Sequence, residues 1–275
     1  MLHNTFVHLP GIGSSRERAL WNSGILDWHQ FLGAISDGLL RERVYRSATP
    51  TVHESLDAIN KGDIGFFKTL LPEGEIWRVF PQFAKEALFL DVETTGFVAA
   101  DHEVTMIATL ASGKHALFVN GINLDEFPSY IAQFPLLVTF NGSQFDLPFL
   151  RAHFPEVCLD QAHVDLRFVL TSLGYEGGLK SVEHAFGIRR DPAIESVNGL
   201  EAARLWYRYR QGEHAALKLL ALYNLTDAVD LAQLMTIAVA LKSQQLLFPG
   251  RMMAHEHPIP LRSCREYLAD WFVEH

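Results

Sequence analysis

Residues 88 to 96, LFLDVETTG, decide the fold, because an apolar run typical of a buried β-strand ends there on two carboxylates. Side chains i and i+2 of a strand point to the same face, so Asp91 and Glu93 are expected to aim at one point. Two carboxylates this close resist ionising together, and a divalent cation between them relieves the repulsion. The stretch predicts a metal site, and the alternative is a solvated loop that follows the strand.

The composition is that of a globular protein with a sizeable core. The chain has 275 residues, of which 48% are hydrophobic and 20% are charged. No stretch approaches the roughly 20 uninterrupted apolar residues of a spanning helix, and the N-terminal residues lack the features of a secretion signal. Cys158 and Cys264 lie far apart, which fits a reducing compartment. We therefore expect a cytoplasmic protein without a membrane partner.

The charge balance limits the class of nucleic-acid protein. The chain has 23 basic and 32 acidic residues, for a net charge of −9. Proteins that coat DNA or RNA are usually basic, so this balance disfavours a coating protein. It leaves open an enzyme that grips one strand in a local cleft, because net charge says little about a single cleft.

The N-terminal region, residues 1–84, is expected to be helical. Within it, residues 9–32 resemble a helix-hairpin-helix element. Glycines in such a hairpin let the backbone approach closely, and amides at the next helix start can receive a phosphate, which Arg16 and Arg18 would favour. A helical hairpin that only packs against its neighbours is the alternative.

Two helix starts are predicted further along this region. Residues 51–54, TVHE, fit a capping box, and Asp63 is a candidate N-cap for a helix over 64–71. The segment is also locally basic, so it can flank a nucleic-acid strand or present a solvated helix face. Its basic residues are Arg41, Arg43, Arg46, Lys61 and Lys68.

The central region, residues 85–241, shows the strand order of a ribonuclease-H-like fold. Three apolar runs with short links predict antiparallel neighbours. A helix then leads to a fourth run, which a right-handed crossover places beside the first strand. The predicted strands are 87–92, 104–110, 115–119, 136–140 and a short one near 163–165, with a helix at about 123–134. We therefore expect an α/β protein whose mixed sheet has three antiparallel and two parallel strands, flanked by helices.

A further acid follows the fourth strand. Asn141 and Gly142 predict a turn, and Asp146 lies two residues before Pro148, where a helix can begin. If strands one and four are adjacent, Asp146 reaches the same sheet edge as the first two acids. The alternative is that Asp146 only caps its helix.

A long helix over about 213–241 carries the last acid of interest. Tyr223 and Asp227 have the i, i+4 spacing that places two side chains on one helical face. An acid in a helix rich in Leu and Ala otherwise belongs on the solvent side, where we expect Asp230. Further helices are predicted at 166–173, 178–186 and 199–210.

The tail, residues 242–275, is predicted to carry a packing helix over 262–273. His255 and His257 are expected to be exposed rather than metal-binding.

Together the acids resemble the tyrosine-bearing branch of the DEDD 3′-5′ exonuclease superfamily, and more closely the predicted exonucleases typified by YprB. The motifs that carry this resemblance are LFLDVETTG, LVTFNGSQFDLPFL, HVDLR, GGLKSVEHAFGI and LYNLTD. The resemblance runs from the N-terminal hairpin to about residue 235, with no departure at the four acids or at Tyr223.

The resemblance implies a two-metal site that holds Mg²⁺ or Mn²⁺. In this interpretation Asp91 bridges both ions, Glu93 and Asp227 complete the site that activates water, and Asp146 holds the second ion. Tyr223 orients the attacking water. Oxygen-only ligands suit these ions, and two of them roughly 3.5–4 Å apart can activate water and neutralise a phosphate.

Three residues are candidates for contact with the terminal nucleotide. They are Asn141, Phe145 and Thr94. Phe145 would stack on a base, although packing is the favoured role for its ring, and turn formation is the favoured role for Thr94.

The sequence thus predicts a 3′-5′ exonuclease acting on single-stranded or frayed nucleic acid, with DNA favoured over RNA. Two alternatives stay open: an endonuclease that uses the same site, and a catalytically silent module that binds nucleic acid or a protein.

Overall fold

A computed structural model describes residues 1–249 and 263–275, which pack as two compact units. The first unit contains Met1–Ala84 and the described chain from Val239 onward to residue 249. The second contains Lys85–Ala238 and the described residues 263–275. His255 and His257 lie outside the described residues.

The first unit is helical. Its α-helices are α1 (Ser14–Asn22), α2 (Trp28–Ser36), α3 (Arg43–Lys61), α4 (Ile64–Leu70) and α5 (Phe80–Phe83). A 3-10 turn at Leu2–Asn4 precedes them, one at Glu73–Val79 joins α4 to α5, and one at Ala84–Glu86 follows α5. The α1–α2 hairpin buries large apolar side chains, among them Leu20, Trp21, Trp28 and Phe31. This burial supports the packing role of the hairpin, and phosphate contact stays a prediction.

Helix α3 begins earlier in the chain than the sequence predicts. The prediction of a capping box at 51–54 is wrong, because α3 runs without a break from Arg43 to Lys61 and contains Pro50. Its buried face continues at helical spacing across the proline, through Ala48, Val52 and Ser55, and this packing outweighs the local signal. The prediction for α4 is confirmed, since the Asp63 carboxylate accepts a hydrogen bond from Phe66 N at 3.0 Å.

The second unit is built on the five-stranded mixed sheet that the sequence predicts. Its strands are β1 (Ala87–Thr94), β2 (Val104–Ala111), β3 (Lys114–Val119), β4 (Leu136–Thr139) and β5 (Ala162–Asp165). Their order is β3-β2-β1-β4-β5. Strand β1 pairs antiparallel with β2 and parallel with β4, so β1 is central and next to β4 as expected.

Helices cover both faces of the sheet. They are α6 (Phe127–Ile131), α7 (Asp146–His153), α8 (Leu166–Thr171), α9 (Leu179–Ala185), α10 (Gly199–Arg210), α11 (His214–Gln245) and α12 (Cys264–Glu274), and a 3-10 turn at Leu124–Glu126 precedes α6. Leu88, Leu90 and Val92 of β1 belong to the apolar core that α6 and α7 complete. On the other face, α10, α11 and α12 pack on residues of β2 and β3 such as Met106 and Val119.

Helix α11 is the long helix predicted near 213–241, and it is a core element. It is long and apolar enough to cross a membrane by length and composition, but 67% of its apolar window is buried inside the protein. Burial of this kind is typical of the central helix of a globular fold. The expectation that Asp230 faces solvent is wrong, because that side chain is only 4% exposed.

A buried ion pair holds the first unit together. Arg78 donates to both oxygens of Glu17, with a shortest distance of 2.9 Å, and each side chain is 1% exposed. Glu17 also accepts hydrogen bonds from the backbone amides of Phe6 and Val7. Removing the arginine would leave a buried carboxylate without its counter-charge.

We expect Arg78→Met to lower the free energy of unfolding by about 3–5 kcal/mol, because it strands Glu17 in the interior. Urea unfolding followed by circular dichroism measures this loss. The matched control is Arg204→Met, which breaks an exposed pair with Glu201 and should change the free energy by about 0.5 kcal/mol or less. Equal losses of unfolding free energy in the two variants would contradict the stabilising role of the Arg78–Glu17 pair.

Candidate active site

Strand β1 directs two carboxylates towards helix α11. The side chains alternate along the strand, so Asp91 and Glu93 point away from the core that holds Leu90 and Val92. A bulge between Glu93 and Thr94 ends the regular pairing with β2. The acids therefore lie near the end of the central strand, under α11.

Asp91, Glu93 and Asp227 form an acidic cluster. One ligand oxygen from each lies within 4.8 Å of the others. Burial raises the pKa of Asp91 well above its ordinary value, and the Asp227 and Glu93 carboxylates raise it further. Burial, then Asp227 and Asp146, likewise raise the pKa of Glu93. The cluster concentrates negative charge where water solvates it poorly.

Asn224 holds the Asp91 side chain. Its Nδ2 donates to Asp91 Oδ2 at 2.6 Å and to the Asp91 backbone oxygen at 3.2 Å. Asn224 is fully buried. Asn224 is not among the residues predicted from the sequence, although an amide flanked by apolar residues in the motif LYNLTD was a usable signal, because buried polar groups need partners.

Asp146 is the first residue of α7, and its carboxylate bonds to the central strand. Its Oδ1 accepts a hydrogen bond from Val92 N at 3.0 Å, so the side chain ties α7 to β1. Burial raises the pKa of Asp146 to about 7, against the lowering effect of its backbone hydrogen bonds. The structure thus places Asp146 beside β1, as adjacency of strands one and four requires.

Tyr223 and Asp227 share one face of α11, as their spacing predicts. Both residues line the same pocket. Burial raises the pKa of Asp227 to about 6, and Arg190 beside it acts in the opposite direction. Arg190 Nη1 lies 2.5 Å from Asp227 Oδ1. Burial, followed by the nearby acids, also raises the pKa of Tyr223, so the phenol stays protonated at neutral pH.

The turn after β4 is built on Asp165. The carboxylate of Asp165 accepts from Asn141 N at 2.7 Å, from Ser143 N and Oγ at 3.1 and 2.6 Å, and from Arg167 N at 3.1 Å. Asn141 has a φ of 65°, a conformation that Asn tolerates better than most residues. Gly142 is required here, because a Cβ at this position would lie 2.1 Å from Thr139 Oγ1.

The acids line one pocket of about 670 Å³ within the second unit. All eight residues predicted for the site contribute to its wall: Asp91, Glu93, Thr94, Asn141, Phe145, Asp146, Tyr223 and Asp227. Thr94 Oγ1 donates to Gly96 O at 2.5 Å, and the Phe145 ring lies 4.9 Å from that of Phe149. Turn formation and packing are thus observed for these two residues.

Three exposed side chains at the pocket were missed by the sequence analysis. Phe97 and Leu200 are 69% and 52% exposed although both line the pocket. Arg167, also in the wall, donates from Nη1 to Asn141 Oδ1 at 2.6 Å. Arg167 ends the motif HVDLR and Phe97 directly follows LFLDVETTG, which were usable signals, whereas Leu200 comes from an element far along the chain.

The sheet order and the acidic pocket agree with a comparison of the sequence with protein families. A family model described as the RNase H superfamily matches residues 88–239, which is more than half of the chain. The chain belongs to the RNase H superfamily.

Other comparisons are less informative about this RNase H superfamily member. No curated protein matches it. Among solved structures, it is similar to the family B DNA polymerase from the hyperthermophilic archaeon Pyrobaculum calidifontis, with 18% identity and a TM-score of 0.44. The match covers 57% of this chain and 24% of the polymerase chain, so the chain spans about a quarter of that protein.

The donor set of the cluster fits a divalent cation. Two oxygens bound to one Mg²⁺ lie at most about 4.2 Å apart, twice the metal–oxygen distance. The observed limit of 4.8 Å is therefore within side-chain adjustment of a shared site. Raised pKa values are also expected where carboxylates meet without a cation. All-oxygen donors suit Mg²⁺ or Mn²⁺. The ligand role of each acid stays a prediction.

Asp230 is a further buried carboxyl on α11, about one helical turn from Asp227. Its Oδ1 accepts from Gln233 Nε2 at 3.3 Å. Burial, followed by the nearby Glu183 carboxylate, raises the pKa of Asp230 to about 8. The folded state therefore holds this proton more tightly than the unfolded state does, whose pKa is near 3.8. As pH rises between these values, Asp230 makes a growing unfavourable contribution to stability.

We expect Asp230→Asn to become progressively more stable than wild type as pH rises from about 4 to about 8, because the amide cannot ionise. Urea unfolding in EDTA at pH 5, 6, 7 and 8 measures the difference. A difference in unfolding free energy that stays constant across this range would contradict the assigned protonation.

Proposed function

We propose that the chain is a divalent-metal-dependent 3′-5′ exonuclease of the tyrosine-bearing DEDD branch, similar to the YprB-like enzymes. The observation that carries the proposal is the juxtaposition of Asp91, Glu93 and Asp227 within 4.8 Å, in a chain of the RNase H superfamily. The four acids arise from β1, α7 and α11, and Tyr223 lines the same pocket.

The acids would hold Mg²⁺ or Mn²⁺. Asp91, Glu93 and Asp227 offer oxygens to one shared position, and Asp146 borders it for a second ion. Bound divalent ions supply Lewis-acid activation of water and neutralise charge on the phosphate. The chain contributes a pre-arranged set of ligands, since Asn224 fixes Asp91 and Val92 N fixes Asp146.

Tyr223 would orient the attacking water by hydrogen bonding. Because burial raises the pKa of its hydroxyl, Tyr223 retains its proton and is unsuited to act as a base. Positioning a water in line with the scissile bond can supply a large part of a rate enhancement.

The pocket wall supports a single-stranded or frayed substrate. The exposed ring of Phe97 can stack on an unpaired base, and the exposed side chain of Leu200 offers an apolar contact beside it. Arg167 is a cation beside the acids, suited to contact a phosphate of the strand. Asn141, Phe145 and Thr94 complete the part of the wall proposed to contact the terminal nucleotide. DNA is the favoured substrate.

We expect an oligonucleotide labelled at its 5′ end to shorten stepwise when incubated with the protein and Mg²⁺ or Mn²⁺. EDTA or Asp91→Asn should reduce the rate by at least about 100-fold, since the amide cannot replace a charged ligand. Gel electrophoresis of timed samples measures this. The matched control is Asp125→Asn, an exposed acid outside the pocket. Wild-type cleavage in EDTA would refute the metal-dependent reaction.

A circular single strand distinguishes the exonuclease from an endonuclease that uses the same acids. We expect the circle to remain intact while a linear strand of the same sequence is degraded, because an exonuclease needs a free end. Linearisation of the circle at a comparable rate would favour internal cutting. Equal binding of DNA with and without Mg²⁺, and no cleavage of either form, would favour a silent binding module.

A further inference from the structure

Arg190 lies beside the acidic cluster and contacts three side chains, those of Glu183, Asp227 and Tyr223. It donates through Nε to Glu183 Oε2 and through Nη2 to Glu183 Oε1, both at 2.6 Å. Its remaining nitrogen, Nη1, lies 2.5 Å from Asp227 Oδ1. The guanidinium carbon is 5.4 Å from the centre of the Tyr223 ring. One side chain thus contacts both α11 residues of the proposed site.

The local backbone explains how Arg190 reaches this place. Helix α9 ends at Ala185, Gly187 beyond it adopts a φ of 74°, and Ile188 N donates back to Glu183 O at 2.9 Å. This closure reverses the chain at the helix end. The reversal returns Arg190 to the side of Glu183, where their side chains pair in two parallel hydrogen bonds.

The ion pairs of Arg190 with Glu183 and Asp227 are buried, so their geometry is tightly constrained. The side chains of Glu183, Arg190 and Asp227 are 0%, 1% and 6% exposed. A buried guanidinium must satisfy its charge and its donors with fixed partners. The planar guanidinium matches a carboxylate on one edge and still presents a donor on another, which a lysine ammonium cannot do in the same way.

We propose that Arg190 is a positioning residue: anchored by Glu183, it fixes the carboxylate of Asp227 and the ring of Tyr223 for the proposed metal site. The inference rests on the proposed function, because Asp227 is a ligand only there. Arg190 reaches the site through Asp227 and Tyr223, so it acts through them. Residues that orient metal ligands in this manner typically contribute 10–100-fold in metal affinity.

An alternative role for Arg190 predicts the opposite sign. As a positive charge near the cluster, Arg190 would repel a cation, so removing it would tighten metal binding. Positioning predicts weaker binding instead, because Asp227 would lose the ion-pair partner that holds its carboxylate in place. The sign of the change in affinity therefore distinguishes the two roles.

The test measures Mn²⁺ binding by isothermal titration calorimetry without nucleic acid, on the full chain. We expect Arg190→Gln and Arg190→Lys to weaken binding by about tenfold or more. Arg204→Gln is the matched control, since its exposed side chain lies outside the pocket, and it should retain wild-type affinity. Thermal unfolding in EDTA shows whether each variant is folded.

Folded Arg190 variants with unchanged or tighter Mn²⁺ binding would overturn the proposal, even if their unfolding temperature fell. If these variants do not fold, Glu183→Gln replaces them, because it weakens the anchor and leaves Arg190 in place. We expect it to weaken Mn²⁺ binding several-fold, and wild-type affinity in this variant would overturn the proposal.

The outcome for Arg190 is separable from that for the nuclease. Weaker Mn²⁺ binding in the Arg190 variants supports the positioning role even if the wild-type chain cleaves no oligonucleotide. Cleavage by wild type, with Mn²⁺ affinity unchanged in the Arg190 variants, supports the nuclease and overturns the positioning role.

Discussion

Mutual repulsion among clustered carboxylates is the constraint on which this structure depends. Asp91, Glu93 and Asp227 are brought together where burial raises the pKa of each. Such a cluster is unfavourable for folding on its own. The protein offsets the cost with the hydrogen bond from the Asn224 amide to Asp91 and with the positive charge of the Arg190 guanidinium beside Asp227. The preformed acidic centre therefore lowers the stability of the fold, and these contacts offset part of that loss.

The sheet order makes this concentration of charge possible. Because β1 is central, its end is bordered by the turn after β4 on one side and covered by α11 on one face. The parallel pair β1–β4 delivers Asp146 beside Val92, and the buried helix α11 delivers Tyr223 and Asp227. Acids distant along the chain thus converge without a long irregular loop.

The sequence predicted the central strand, the strand order and eight of the pocket residues because each left a local pattern. The acids of β1 follow an apolar run, and Tyr223 and Asp227 have helical spacing. Tertiary packing decided what was missed. Asp230 is buried in the interior, and packing of the buried face of α3 lets that helix continue through Pro50. Neither effect can be predicted from the residues next to Asp230 or Pro50 in the sequence. Arg190 meets Asp227 only after the chain reverses beyond α9.

Because Asp146 accepts a hydrogen bond from Val92 N, its carboxylate has a structural role in the sheet besides its proposed role in the site. The side chain takes the place that a neighbouring strand would fill in the ladder, so the amide of a central strand depends on it. An asparagine at position 146 would retain the acceptor oxygen, whereas alanine would leave the amide without a partner. An alanine substitution at position 146 would therefore remove a backbone hydrogen bond and the carboxylate at the same time. Only the asparagine substitution, which has the same shape, separates the structural effect from the chemical one.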